Sequence, residues 1–256
     1  MSLCHIIFAN ANKSQPPSSI KTMRAVLLAA GLGTRLKPLT NTIPKCLVPI
    51  GGRPLLDYWI EKLIKLGISK ILINTHYKSE LVEAFVHSHK YREQIYLSHE
   101  TELLDTGGTL IKNREFWDSS DVLIAHADNF TTSDLSGLIS AHSFRASHID
   151  VTMLLFYSDT PQSCGIVELD ELNIITGYFE KVAQPPTNLA NGAVFLFSPK
   201  VFQRFFQPML REKRLSLCAD IVPTMIGSMQ GWLVDGPYMD IGTPASYKHA
   251  NDIIKL

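Results

Sequence analysis

With 256 residues, 45% of them apolar and 19% charged, the chain can form one large domain or two closely packed lobes, and it is too apolar for a disordered protein. Its 24 basic and 24 acidic residues cancel, which removes the broad positive field expected of a nucleic-acid binder. No apolar run approaches the roughly 18–20 residues of a membrane span, and four scattered cysteines (Cys4, Cys46, Cys164, Cys218) without a CxxC pair suit a reduced, cytoplasmic setting and a buried apolar role.

Residues 1–22, "MSLCHIIFANANKSQPPSSIKT", lack the basic start and apolar centre of a secretory signal, and are expected to be a disordered extension or a non-native start ahead of Met23. From there strands and helices alternate. "RAVLLAA" (24–30) has the short apolar run of a buried parallel strand. "PLLDYWIEKLIKLG" (54–67) is a helix, with Leu55, Leu56, Trp59, Ile60, Leu63 and Ile64 as its core stripe. A strand at 70–76, a helix at 79–89 capped by Ser79 and a strand at 94–100 follow. A helix over 106–117, a strand over 121–128, a helix over 135–145 and a strand over 149–157 continue the series. This alternation predicts an α/β fold with a Rossmann-like, doubly wound, mostly parallel sheet.

After residue 157 the texture changes to three strand-like runs, "CGIVELDE", "NIITGYFEKV" and "NGAVFLFS", which predict a smaller β-rich lobe. Two short helical stretches follow, and "GTPASYKHANDII" predicts a closing helix with Thr243 as cap and Pro244 at its first position. Residues 23–256 are expected to be a single domain with lobes at 23–157 and 158–256.

The stretch "LLAAGLGTRLKPLT" (27–40) carries the chemistry. It is no GxxxxGK[ST] phosphate loop, and as a GxGxxG dinucleotide turn it has Gly31 and Gly33 but Leu36 in place of the third glycine. By itself the turn could be an ordinary strand exit. Its sequel points elsewhere: Arg35, Lys37, Lys45 and Arg53 fall within 19 residues, on a loop stiffened by Pro38, Pro44, Pro49 and Pro54. Glycine amides, an arginine fork and lysines suit phosphate oxygens, and a loop this long after a strand is usually functional.

"AAGLGTRLKPLT…PKCLVPIGGRPLL" resembles the signature of the sugar-1-phosphate nucleotidyltransferases. "ELLDTGG", "ADNF", "CGIVELDE", "FEK", "NGAVFLFSP" and "DIGTPASY" are similar to further motifs of that family, in the family's order, across about 23–250. The resemblance implies transfer of a nucleotidyl group from a nucleoside triphosphate to a sugar 1-phosphate, with Mg2+ and release of pyrophosphate. Arg35, Lys45 and Asp128 would be catalytic. Ala30, Gly31, Gly33, Thr34, Arg35, Lys45, Thr106, Gly107 and Gly108 would bind the nucleotide. Gly165, Glu180, Lys181 and Asn191 would meet the sugar and its phosphate, and Asp128 and Asp240 would hold the metal. The nucleophile is an already ionised phosphate oxygen, so no general base is required.

"FEKVAQPPTNLANGAVFLF" is most similar to guanylyltransferases for mannose or manno-heptose 1-phosphates, which favours GTP and implies a place in glycan synthesis. Three positions depart from the family pattern. Asp105 stands where many relatives have glycine and resembles the branch that uridylylates N-acetylmuramate 1-phosphate, keeping UTP open. Ala127 replaces glycine before Asp128, and Val182 stands where proline often follows Glu-Lys. A catalytically silent regulator that binds nucleotide sugars, and a glycosyltransferase, remain as other classes; homo-oligomerisation is compatible with the sequence. His126, and the pair His87 and His89, are read as structural, the first beside the site and the pair at a solvated helix end.

Overall fold

The computed structural model describes residues 23–212 and 214–255; the extension expected at 1–22, with Cys4, lies outside the described residues. β1 (Arg24–Leu28) stops two residues short of its apolar run, because Ala29 donates its N–H to the Asn74 side chain (2.6 Å) instead of continuing the ladder. A hairpin of β2 (Pro49–Ile50) and β3 (Arg53–Pro54) leads into α1 (Leu55–Lys65), which buries Leu55, Leu56, Trp59, Ile60 and Leu63 as their spacing predicts. β4 (Ile71–Thr75), α2 (Ser79–Ser88) and β5 (Ile95–His99) follow. Ser79 does not cap α2. Lys78, left-handed at φ 52°, precedes the helix, and Ser79 is already its first residue.

The helix expected over 106–117 is two, α3 (Asp105–Lys112) and α4 (Arg114–Trp117). The break falls where Asn113 turns its amide back onto the Thr109 carbonyl (2.9 Å). Next come β6 (Val122–His126), β7 (Asn129–Thr131), α5 (Ser136–Ser143) and β8 (Val151–Tyr157). The three later runs are β9 (Gly165–Leu169), β10 (Ile175–Glu180) and β11 (Leu189–Phe197). The two helical stretches are irregular, each a π-helical turn running into a 3-10 turn, over 202–209 and 217–225. β12 (Met229–Leu233), β13 (Tyr238–Asp240) and α6 (Pro244–Ile254) close the chain, with Thr243 and Ser246 forming a reciprocal cap on α6.

Nine strands form one mixed sheet, of which β10-β9-β11-β6-β1-β4-β5 is the main path, with β8 on β11 and β12 on β8. β6, β1, β4 and β5 are parallel, as expected of a Rossmann-like half. The β-rich addition continues this sheet through β11, which runs antiparallel to β6 over Val194–Phe197 and meets β9 at Ala190. Its ladder with β8 shifts register between Asn191 and Phe195, and Ala193 there has φ 54°. Both faces are packed. Val26 and Leu28 enter one core with Trp117, Phe197 and Phe206, while Ala25 and Leu27 enter another with Trp59 and Ile73. Among the described residues no helix is long and apolar enough to cross a membrane.

His142 of α5 is fully buried, bonded to Thr152 Oγ1 (2.9 Å) and 3.6 Å from Asp121. Burial outweighs Asp121 and holds its pKa below the usual 6.5. The unfolded chain then binds a proton that the native state refuses, so stability falls as pH drops through about 6.5. Urea denaturation at several pH values between 7.5 and 5.5 should show this fall, and His142→Gln should lose part of the slope.

Candidate active site

The carboxyl ends of β6, β1, β4 and β5 lie side by side, and the chain leaves β1 there as the glycine loop. Gly33 has φ 63°, which glycine adopts without strain, and a Cβ on it would lie 2.9 Å from Thr40 and 3.1 Å from Lys45. Thr40 Oγ1 donates to the Gly33 carbonyl (2.7 Å), folding the loop back on itself. The N–H groups of Gly31, Gly33 and Thr34 donate to no acceptor among the described residues. Gly31 is exposed, with no atom within 4 Å of a Cβ built there, so a ligand can approach its backbone.

Lys45 is the charged group around which the site closes. Only 7% exposed, its ammonium donates to Asp128 Oδ2 (2.7 Å) and to Asp240 Oδ1 (3.0 Å). Asp128 follows β6, and Asp240 ends β13, which pairs with β7 so that Asp240 faces Asn129 across the ladder. Arg35, two-thirds exposed, reaches Asp240 Oδ2 at 3.6 Å. Burial works against the ionised form of Asp128, yet Lys45 and His126 hold its pKa below the usual carboxylate range. Gly242 completes the cluster: any Cβ there would overlap Asp240 and lie 3.0 Å from Arg35. Sequence reasoning passed over this glycine, although "DIGTP" contained it.

Two carboxylates that already share one cation form a donor set of hard oxygens, which fits a divalent ion such as Mg2+. No cluster of three His, Cys, Asp or Glu side chains suited to a metal occurs among the described residues, so further ligands would have to come from substrate or water.

A cavity runs from this cluster along the strand ends past Ala30, Cys46, His126, Asp105 and Thr106 to Asn74 and Glu100. Glu100, 1% exposed, accepts from Asn74 Nδ2 (2.9 Å) and Thr109 Oγ1 (2.6 Å) through one oxygen and from the Leu104 N–H (3.3 Å) through the other. It has no cationic partner among the described residues. The sequence reading missed it; a buried acid ending a strand beside the glycine loop carries no spacing signal. Arg214, also missed, lines with Arg35, Gly33 and Gly242 a second pocket that shares Gly31, Lys45 and Asp128 with this cavity, its signal hidden in the charged run "REKR".

The second glycine segment behaves differently from the expectation. The amides of Gly107 and Gly108 both donate to the Leu215 carbonyl (2.7 and 3.2 Å), and Gly107 packs against Ile221, so these glycines permit a close chain crossing. Thr106 lines the cavity but its hydroxyl accepts from the Leu217 N–H (2.7 Å).

The four expected sugar-side residues gather, with Gly165 on β9, Glu180 ending β10, Lys181 just after it and Asn191 on β11. Gly165 pairs with Glu180, and a Cβ on it would overlap Tyr178 and lie 2.7 Å from Glu180 Oε2. Tyr178 donates to Glu180 (2.6 Å) and accepts from Asn191 Nδ2 (3.3 Å). Lys181 is largely exposed, 3.1 Å from Glu180. Burial and the Glu180 charge push the Cys218 thiol beside them up to about 12. His89 corrects an expectation: it is buried, with Nε2 on Asp57 (2.7 Å), and only His87 is solvated.

The family model described as "Nucleotidyl transferase" matches residues 24–255. The chain belongs to the nucleotidyl transferase family. It is 29% identical to a mannose-1-phosphate guanylyltransferase of Mycobacterium tuberculosis, over 87% of this chain and 62% of that protein. It is 28% identical to a D-glycero-alpha-D-manno-heptose 1-phosphate guanylyltransferase of Campylobacter jejuni, over 89% and 98% of the two chains. The crystal structure of HddC from Yersinia pseudotuberculosis complexed with GMP-PN shares the fold, with a TM-score of 0.73, 24% identity and coverage of 90% and 99%. Several of these relatives are longer; the chain spans about 60% of the first curated relatives it matches.

Removing Lys45 from this family member leaves Asp128 without a cation and Asp240 with only the exposed Arg35, at 3.6 Å, among the described residues. Lys45→Met should cost about 2–3 kcal/mol, less than a fully enclosed pair because both acids touch water, and Lys45→Met with Asp128→Asn should recover part of the loss in chemical denaturation.

Proposed function

We propose that the chain is a guanylyltransferase that joins GTP to a mannose-type or manno-heptose-type sugar 1-phosphate and releases pyrophosphate. The observation that carries the reaction is the Lys45 ammonium held by Asp128 and Asp240 beside Arg35 and the unpaired loop amides. In this reading an oxygen of the sugar phosphate attacks the α-phosphorus, the bond between that oxygen and the α-phosphorus forms, and the bond from the α-phosphorus to the oxygen bridging to the β-phosphorus breaks as pyrophosphate leaves. Arg35 and the amides of Gly31, Gly33 and Thr34 take the leaving phosphates; Lys45 moves from its carboxylates toward the α-phosphate. Mg2+ on Asp128 and Asp240 would neutralise charge at the reacting phosphate. Glu180, Lys181, Asn191 and the Gly165 backbone would receive the sugar and its phosphate. No histidine has to move a proton, in keeping with His126, whose pKa burial holds below its usual value.

Glu100 supports the choice of base. Its Oε1 is taken by Asn74 and Thr109, and its Oε2 accepts only the Leu104 N–H at 3.3 Å among the described residues, which leaves room for one donor such as a guanine N1–H or N2–H. The one N–H of uracil is flanked by two carbonyls that a carboxylate repels. The guanylyltransferase names of the two relatives agree with that chemistry.

Pyrophosphate release with Mg2+ should be strongest for GTP among GTP, UTP, dTTP, CTP and ATP, tested against a panel of sugar 1-phosphates. A UTP preference would overturn the base assignment alone. Asp128→Asn should lower turnover about 10²–10³-fold in a folded protein; unchanged turnover would sink the metal assignment. Glu100→Gln should reduce the GTP-over-UTP ratio by roughly tenfold or more.

A further inference from the structure

Asp105 is an acid on the wall of a cavity meant, on the reading above, for a triphosphate. It lines the cavity between Glu100 at one end and Lys45 and Asp128 at the other. Its φ of 64° is the left-handed conformation that glycine adopts freely and that aspartate tolerates. The carboxylate is not turned loose in solvent: Oδ1 accepts the Thr106 N–H at 2.7 Å, which fixes the group, and Oδ2 has no partner among the described residues. His126, on the facing strand end, lines the same cavity, and neither ring nitrogen makes a hydrogen bond among the described residues.

The polarity of a nucleoside triphosphate leaves little choice of partner for Asp105. A carboxylate repels phosphate and accepts only from N–H or O–H donors. Between its base and its phosphates such a ligand carries donors at the ribose 2′- and 3′-hydroxyls alone. The strand order sets the spacing: β4, which bears Asn74, and β6, which bears His126, are separated by β1, so their ends lie about 10 Å apart at ~4.8 Å per strand. With the base over Asn74 and Glu100 and the phosphates over Lys45, the sugar ring of the nucleotide crosses this gap, beside Asp105 and His126.

We infer that Asp105, seconded by His126, is a ribose clamp that accepts from the nucleotide's diol and makes this chain discriminate ribonucleotides from deoxyribonucleotides. The inference rests on the nucleotide reading of the cavity. It explains an acid where glycine would suffice: the backbone conformation is kept, and the added carboxylate supplies selectivity that a glycine cannot.

Asp105→Gly is the informative variant, since glycine takes φ 64° without strain and the fold should survive. Binding of GTP and UTP, each compared with its 2′-deoxy and 3′-deoxy forms, is measured by calorimetry without sugar phosphate. The wild type should bind the better ribonucleotide at least tenfold more tightly than one of its deoxy forms. Asp105→Gly should erase most of that ratio by weakening the ribonucleotide, with deoxynucleotide binding unchanged or tighter because a like charge is gone. His126→Ala should lower the ratio less. Equal affinity for ribo and deoxy forms in the wild type, or a ratio untouched in Asp105→Gly, overturns the clamp while leaving nucleotidyl transfer standing. Equal weakening of both forms in Asp105→Gly marks a structural role and also overturns it. No binding of either ribonucleotide fells the clamp and the proposed function together.

Discussion

A single ammonium group ties the site together. Lys45 joins Asp128, 83 residues away, and Asp240, 195 residues away, and each of the three comes from a different kind of segment. Lys45 lies on the proline-stiffened loop, Asp128 follows a central parallel strand, and Asp240 ends a short strand near the chain's close. A nearly buried cation is tolerated only because two carboxylates meet it, and two carboxylates so close are tolerated only because of the cation. The surrounding structure enforces that meeting. The β7–β13 ladder fixes Asp240 opposite Asn129, Trp59 of α1 donates to the Asn129 carbonyl (2.8 Å), and the capped start of α6 follows immediately.

The sheet decides where substrates can reach this cluster. β11 leaves β6 at its bulge, and the Gly192 carbonyl there accepts from Asn129 (2.9 Å) and Tyr238. The bulge therefore anchors the strand beside the Lys45 cluster on one side and presents Asn191 to Tyr178 and Cys218 on the other. Leu215 and Leu217 connect back to the second glycine segment, so one irregular stretch touches both the cavity wall at Thr106 and, through Cys218, Asn191. Ordered elements hold the carboxylates, whereas Gly31, Thr34 and Arg35 lie exposed on the loop beside them.

Much of this was legible from the chain alone, and the rest was hidden for identifiable reasons. Apolar runs in β1, β4 and β6 announced buried parallel strands, because such strands are covered on both faces, and the stripe of α1 announced its packed face. The glycine turn with its following cations, and the motif order, identified the family and singled out Arg35, Lys45, Asp128 and Asp240, which the structure brings into one place. The role of Gly107 and Gly108 in a close chain crossing was not legible, because a glycine needed for a crossing reads the same as one needed for a ligand. His89 looked solvated because its partner, Asp57, lies on another helix.

By itself, then, the sequence determined the alternating fold, the glycine turn with its following cations and the family, since each is written in local pattern: periodicity, turn residues and motif order. The tertiary structure alone decided that Lys45 stands between the two aspartates, that Glu100 is buried on the wall of the cavity, that a side chain at Gly242 would push on Asp240 and Arg35, and that Asp105 lines the same cavity. Those facts depend on contacts between residues far apart in the chain, and no local spacing encodes how a strand end, a loop and a late hairpin converge.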